Sequence, residues 1–195
     1  MGAESLKEKV KQTLIDGTEL DVRCFGARTL HIVAGNATGL SLLTILRNMV
    51  LRSDAIIKAP SNDPFTALAI ASTMVEMAPD HTLTKHLSVA YWKGGDQAFE
   101  ERLYQPQNLE KIVAWGGFNS MKHVTRYIQP GLELISLDPK RSASILGKGT
   151  FDSEETMREA AIRLASDIGA LNQKACVCAR VVYVQSGTDE AGLAN

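Results

Sequence analysis

The sequence predicts an α/β fold, a parallel sheet with helices on both faces. Short apolar runs alternate with helix-spaced patterns almost from end to end, the mark of strands joined by helical crossovers. Most runs stop at glycine or proline, as at Ala59-Pro60, Gly94-Gly95 and Gly116-Gly117, where a strand can end and a helix begin. The chain of 195 residues is also long enough for one substantial core, or for one domain and part of another.

Thr29 to Ala34 reads as a short buried strand, followed by a glycine-flanked turn from Gly35 to Gly39. Leu42, Leu43, Leu46, Met49 and Val50 keep the three- and four-residue spacing of one helix face. Ala55 to Lys58 is a second strand. Ser61 to Asp63 can cap the next helix, with Pro64 in its first turn, and that helix runs to about Met77 before Pro79. Leu87 to Trp92 is a third strand, Asp96 to Tyr104 a short helix, and Lys111 to Trp115 a fourth strand. Gly116-Gly117 opens a helix from Ser120 to Ile128 that ends at Pro130-Gly131. Leu132 to Leu137 is a fifth strand and Ser144 to Leu146 a shorter sixth. Asp152-Ser153 with Thr156 starts a long amphipathic helix reaching Ile168, and Ala179 to Val184 is the final strand. Ser186 to Asn195 is polar or small and reads as loose.

Composition narrows the function. The 21 basic and 22 acidic residues nearly cancel, so no basic field suits nucleic acid or an anionic membrane. The most apolar stretch, Leu40 to Leu51, is too short for a span and is interrupted by Arg47 and Asn48. Met1 to Val10 holds Glu4, Lys7, Glu8 and Lys9 and no apolar h-region, unlike a signal peptide. Three cysteines, Cys24, Cys176 and Cys178, are an odd number without disulfide spacing and point to a reducing, cytoplasmic setting. His31, His81, His86 and His123 are scattered, and no metal site is expected.

Doubly wound sheets bind ligands where strands end and helices begin. Three such segments stand out. Ala34-Gly35-Asn36-Ala37-Thr38-Gly39 offers an amide at a strand end, although Asn36 can equally cap the following helix. Trp115-Gly116-Gly117 lets a phosphate or nicotinamide approach the backbone, although a plain tight turn reads the same way. No G-x-G-x-x-G fingerprint is present. Asn172-Gln173-Lys174-Ala175-Cys176-Val177-Cys178 is a loop with thiols between a helix and a strand. Lys174 would favour a thiolate, and the alternative is that both cysteines are small buried hydrophobes.

Taken in order, four stretches resemble the aldehyde dehydrogenase superfamily, and more closely its acyl-CoA reductase branch, which includes the long-chain fatty acyl-CoA reductase of bacterial bioluminescence. They are His31-Ile32-Val33-Ala34-Gly35-Asn36, Lys58-Ala59-Pro60-Ser61-Asn62-Asp63-Pro64-Phe65, Ile112-Val113-Ala114-Trp115-Gly116-Gly117 and Asn172-Gln173-Lys174-Ala175-Cys176. The resemblance implies a Rossmann-like, aldehyde dehydrogenase-like fold in an incomplete chain. Its division would be 1–28 as an N-terminal helix and lead-in, 29–170 as a dinucleotide-binding domain, and 171–195 as the nucleophile loop and start of a catalytic domain.

It also implies roles. Cys176 falls on the thiol that becomes acylated, and Asn36 on the amide that helps hold the oxyanion. Lys58 falls on the lysine that contacts the adenosine ribose, and Gly117, after Gly116, on the loop beneath the nicotinamide and pyrophosphate. Ser61 stands where NAD-preferring members carry a glutamate, which removes a charge that would repel a 2′-phosphate and favours NADPH. Hydrolytic members place a water-activating glutamate where the register through Leu137-Asp138-Pro139-Lys140 puts Ser136, with Glu133 as the other candidate. The implied reaction is therefore NADPH-dependent reduction of a long-chain fatty acyl-CoA, or another acyl thioester, to the aldehyde. Implied partners are acyl-protein synthetase and acyl-transferase subunits, with the aldehyde feeding bioluminescence. An NAD(P)-dependent aldehyde dehydrogenase and a non-catalytic fragment stay open as alternatives.

Overall fold

A computed structural model describes residues 2–37, 39–137 and 140–187. The chain forms two compact units, Met1–Asp138 and Pro139–Asn195. The first begins with a 3-10 turn at Ala3–Leu6, then β1 (Val10–Thr13) and β2 (Glu19–Val22), paired antiparallel. The expected N-terminal helix is therefore a hairpin. Its turn is built by Gly17, at φ +84°, and by Asp16, whose carboxylate accepts the Thr18 amide at 3.0 Å. A glycine in the left-handed region after aspartate favours a hairpin turn over a continuing helix.

The main sheet follows: β3 (Arg28–Ile32), β4 (Asp54–Lys58), β5 (Leu87–Ala90), β6 (Lys111–Trp115) and β7 (Glu133–Leu137). Between them lie α1 (Gly39–Val50), α2 (Thr66–Met77), α3 (Thr82–Lys85), α4 (Gln97–Leu103) and α5 (Phe118–Thr125). All five strands are parallel, in the order β5-β4-β3-β6-β7. Successive residues of a strand point to opposite faces. On one face Leu30, Ile112 and Ala114 pack with Tyr104, Met121 and Val124 beneath α4 and α5. On the other, Val33, Ala55 and Ile57 pack with Ile45 of α1 and Ala67 of α2.

Helix α1 turns the other way from its apolar spacing. Leu42, Leu43, Leu46 and Val50 are exposed, and Ser41, Thr44, Ile45 and Asn48 are buried. Hydrogen bonds decide the orientation: the Asn48 amide donates to the Ser53 carbonyl at 2.6 Å, and its Oδ1 meets His31 Nε2 at 3.1 Å. A buried amide with both ends satisfied tolerates the interior, whereas an unsatisfied one would not.

The second unit contains β8 (Ser142–Leu146), α6 (Glu154–Gly169) and β9 (Ala179–Val184), with 3-10 turns at Lys148–Phe151 and Ala170–Gln173. β8 and β9 pair in parallel in a sheet of their own. Helix α6 starts at a capping box: Ser153 Oγ accepts from the Thr156 amide at 3.2 Å, and Thr156 Oγ1 accepts from the Ser153 amide at 3.1 Å. Among the described residues no helix is long and apolar enough to cross a membrane.

The orientation of α1 is testable by truncation. Leu30→Ala, at a fully buried position of β3, is expected to cost about 2–5 kcal/mol. Leu46→Ala, on the outer face of α1, is expected to stay within about 0.5 kcal/mol. Urea denaturation of the two variants measures both.

Candidate functional site

The strand order reverses at β3. From there the chain steps outward to β4 and β5, then returns past β3 to add β6 and β7. The loops leaving β3 and β6 therefore part toward opposite faces, and a crevice opens between them at the C-terminal edge of the sheet. Asn36 lies just beyond β3, and Gly116 and Gly117 just beyond β6. Lys58 is the last residue of β4, with Ser61 three residues on. The structure thus brings Asn36, Lys58, Ser61, Gly116 and Gly117 to one edge. Asn62 ties two of these loops together by donating its side-chain amide to the Gly35 carbonyl at 2.8 Å. A Cβ on Gly35 would fall 1.7 Å from Asn62 Oδ1, so this clasp needs glycine there.

The Gly-Gly loop is open at its second glycine. A Cβ on Gly117 would meet nothing within 4 Å, whereas one on Gly116 would press on Ser120 Cβ at 3.0 Å. Gly117 is the N-cap of α5 and supplies no side-chain cap. By contrast, Asp96 caps α4 and Ser153 caps α6 with their own oxygens. The first amides of α5 are thus backbone donors beside open space, an arrangement suited to an anion.

Lys58 is half-buried, and its ammonium lies 5.2 Å from the centre of the Trp92 ring. Burial lowers its pKa, and the negative charge of Glu100 opposes that shift. Glu100 itself is only 1% exposed. Its Oε1 accepts from Trp92 Nε1 and from the Gly95 amide, both at 3.3 Å. Its Oε2 accepts from His123 Nε2 at 2.5 Å and from the Tyr127 hydroxyl at 3.3 Å. Burial alone would raise the carboxyl's pKa, but the His123 and Gly95 hydrogen bonds outweigh it and hold the group below its ordinary value. Tyr104, buried beside this charge, is pushed well above the ordinary phenol range by burial and then by Glu100.

Behind Asn36, His31 on β3 is buried and donates from Nε2 to Asn48 Oδ1 at 3.1 Å. Burial lowers its pKa more than Asn48 raises it, so the ring is kept neutral. Ser136 sits near the C-terminal end of β7, opposite Ala114, with its hydroxyl 3.6 Å from Met121 Sδ. Glu133 stands at the other end of β7 and pairs with Lys111. Of the two residues weighed for the water-activating position, Ser136 is the one at the crevice edge.

In the second unit the two C-terminal cysteines differ sharply. Cys178 is fully buried and donates to the Ala170 carbonyl at 2.8 Å. Cys176 is exposed, in a loop whose backbone is held by Ser142 Oγ donating to the Cys176 carbonyl at 2.7 Å. Three successive residues before it, Leu171, Asn172 and Gln173, have φ of 51°, 52° and 55°. Left-handed backbone at non-glycine residues costs on the order of 1–2 kcal/mol each and concentrates at functional loops.

Sequence reading singled out Lys58 but missed the cluster behind it. Glu100, Trp92, His123 and Tyr127 meet across separations of 8 to 27 residues. The available signal was a carboxylate at an inward position of a short helix after Trp92-Lys93-Gly94-Gly95.

A family model described as Acyl-CoA reductase (LuxC) matches residues 23–192. The long-chain acyl-protein thioester reductase of Aliivibrio fischeri is 32% identical over 156 residues, 80% of this chain and 31% of that protein. The chain thus spans about a third of the length of the curated relatives it matches. Among solved structures, 3,6-anhydro-L-galactose dehydrogenase in complex with NAP aligns with a TM-score of 0.76 at 12% identity, over 98% of this chain and 39% of that one. Propionaldehyde dehydrogenase of Rhodopseudomonas palustris with bound propionyl-CoA aligns at 0.69 and 12%, over 100% and 41%. The shared fold is that of aldehyde dehydrogenases.

The neutral His31 carries a pH signature. Its folded pKa lies below the ordinary histidine value, so the unfolded chain takes up the proton first. The stability it contributes is complete above pH ~6.5 and is lost as pH falls through the folded value. His31→Gln, which does not titrate, is expected to lose less of its thermal midpoint between pH 7 and 5 than the unmodified chain. Equal losses would contradict the assignment.

Proposed function

This chain belongs to the acyl-CoA reductase family, and from that premise we propose that it carries the dinucleotide site and acyl-accepting thiol of an acyl thioester reductase. The acyl donor is a long-chain acyl-protein thioester, the class in the name of the Aliivibrio fischeri relative, or a long-chain fatty acyl-CoA. The observation that carries the reading is Cys176, an exposed thiol inside the matched span, two residues before a cysteine that is fully buried.

The Cys176 sulfur, as thiolate, attacks the thioester carbonyl carbon. The family resemblance, and not a contact between the units, assigns the Asn36 side-chain amide to the oxyanion that forms, an effect commonly worth about 3–4 kcal/mol. Collapse breaks the bond to the leaving thiol and leaves an acyl-cysteine. The nicotinamide coenzyme, when bound, supplies the hydride that reduces this thioester. The resulting thiohemiacetal expels the Cys176 thiolate as the aldehyde forms, so the thiol is regenerated. Ser136, at the position where the resemblance puts the water-activating glutamate of hydrolytic members, has no basic group to activate water, which suits an acyl-enzyme that is reduced and not hydrolysed.

The coenzyme is fitted by the residues present. The open face of Gly117 and the uncapped start of α5 suit a pyrophosphate, and Lys58 suits the ribose end. Ser61, exposed where a carboxylate would repel a 2′-phosphate, supports NADPH over NADH. On this reading residues 29–170 serve the dinucleotide and 171–195 begin the acyl-transfer part. Partners of the acyl-protein synthetase and acyl-transferase classes would deliver the acyl group, in a reducing cytoplasm suited to three free cysteines.

Incubation with a long-chain acyl-CoA and intact mass measurement test the thiol. The unmodified chain and Cys178→Ala are expected to gain one acyl group, and Cys176→Ala none. A persistent adduct on Cys176→Ala would sink the assignment.

A further inference from the structure

Glu100 is a buried carboxylate that the chemistry above does not use. Burying an ion costs several kcal/mol unless its oxygens are satisfied, and here four donors converge on it, two per oxygen. They come from three places: Trp92 and Gly95 in the loop after β5, His123 on α5, and Tyr127 just beyond α5. Such a charge clamps these segments together, and one of the clamped groups is the floor beneath Lys58. The Trp92 indole donates its N–H to Glu100 Oε1 at 3.3 Å while its ring lies 5.2 Å from the Lys58 ammonium. Donation to an anion enriches the ring in electron density and strengthens its hold on a cation over its face. Gly95, at φ +88°, is pinned by the same oxygen, so the loop cannot carry Trp92 away.

We propose that Glu100 is a positioning residue for coenzyme choice. Acting through Trp92, it holds the Lys58 ammonium at the crevice edge for the 2′-phosphate of the dinucleotide. This rests on the coenzyme assignment made above. Glu100 is buried, and on this proposal its effect on the coenzyme runs through Lys58. The charge itself matters as well as the shape, because Glu100 opposes the lowering of the Lys58 pKa that burial brings. Two further charged groups act on Tyr127: Glu101 of α4, which accepts from Gln97, and Arg126 beyond α5.

The test is calorimetric titration of the full chain with NADPH and with NADH. Glu100→Gln keeps the side-chain shape and removes the charge. It is expected to weaken NADPH about tenfold and NADH less than about twofold, the scale of one lost charge-assisted contact. Lys58→Met is expected to lose the same preference, and Glu100→Gln added to Lys58→Met to change NADPH affinity by less than about twofold, since coupled residues do not add. Trp92→Phe, which keeps a ring and loses the N–H, gives an intermediate loss and carries the test with Lys58→Met if Glu100→Gln does not fold. Equal weakening of both coenzymes, or a full additional loss in the Lys58→Met background, overturns the proposal and makes the cluster structural. An unmodified chain that binds neither coenzyme overturns the coenzyme assignment itself.

Discussion

A parallel strand cannot return to its neighbour by a tight turn; it must cross over through a helix. That constraint governs the first unit. Each strand from β3 to β7 runs the same way, so every loop that leaves a strand end opens at one edge. The crossover reversal at β3 then parts two of those loops and leaves a crevice. Asn36, Lys58, Ser61, Gly116 and Gly117 converge because their strands are parallel, although up to 81 residues separate them in sequence. The apolar interior that keeps the strands in register, with Leu30 and Ile112 on one face and Ile57 on the other, is what holds those loops in place.

Electrostatics at that edge is set from behind. A single buried carboxylate, satisfied by four donors, ties the loop after β5 to α5 and accepts from the edge of the Trp92 ring over which Lys58 lies. The chain's basic and acidic residues nearly cancel, so on the proposed reading an anionic coenzyme would depend on local arrangements: an ammonium over an indole ring and the start of α5, which has no side-chain cap. The serine at 136 belongs to the same economy of charge. With Glu133 at the opposite end of β7 and paired with Lys111, no carboxylate of that strand reaches the crevice.

Periodicity identified what local residues decide. Lys111–Trp115 and Ala179–Val184 have the bounds their apolar runs suggest, and Ser153 with Thr156 starts α6 as the capping pattern indicates. The same reasoning failed where tertiary partners decide. The leucines of α1 face outward because Asn48 and its hydrogen bonds to His31 and Ser53 take the inner side, and an amide's burial is invisible without its partners. The hairpin at β1 and β2 was missed because its strands are only four residues each and mostly exposed, so the alternation of Glu19-Leu20-Asp21-Val22 is too short to stand out. Asp16-Gly17 was its clearest local sign. At the candidate site the strand-end glycines and Lys58 could be read, while Glu100 could not, because three of its four donors are other side chains brought in by the fold.

The central claim is that an acyl group on Cys176 is kept for hydride and denied to water. Its most direct measurement is a single turnover: load the chain with a long-chain acyl group, add NADPH, and quantify the products by mass. The account predicts loss of the adduct with about one equivalent of fatty aldehyde formed and one of NADPH oxidised, as the stoichiometry of hydride transfer requires. Release of the acyl group as free fatty acid, with NADPH unconsumed, would contradict it.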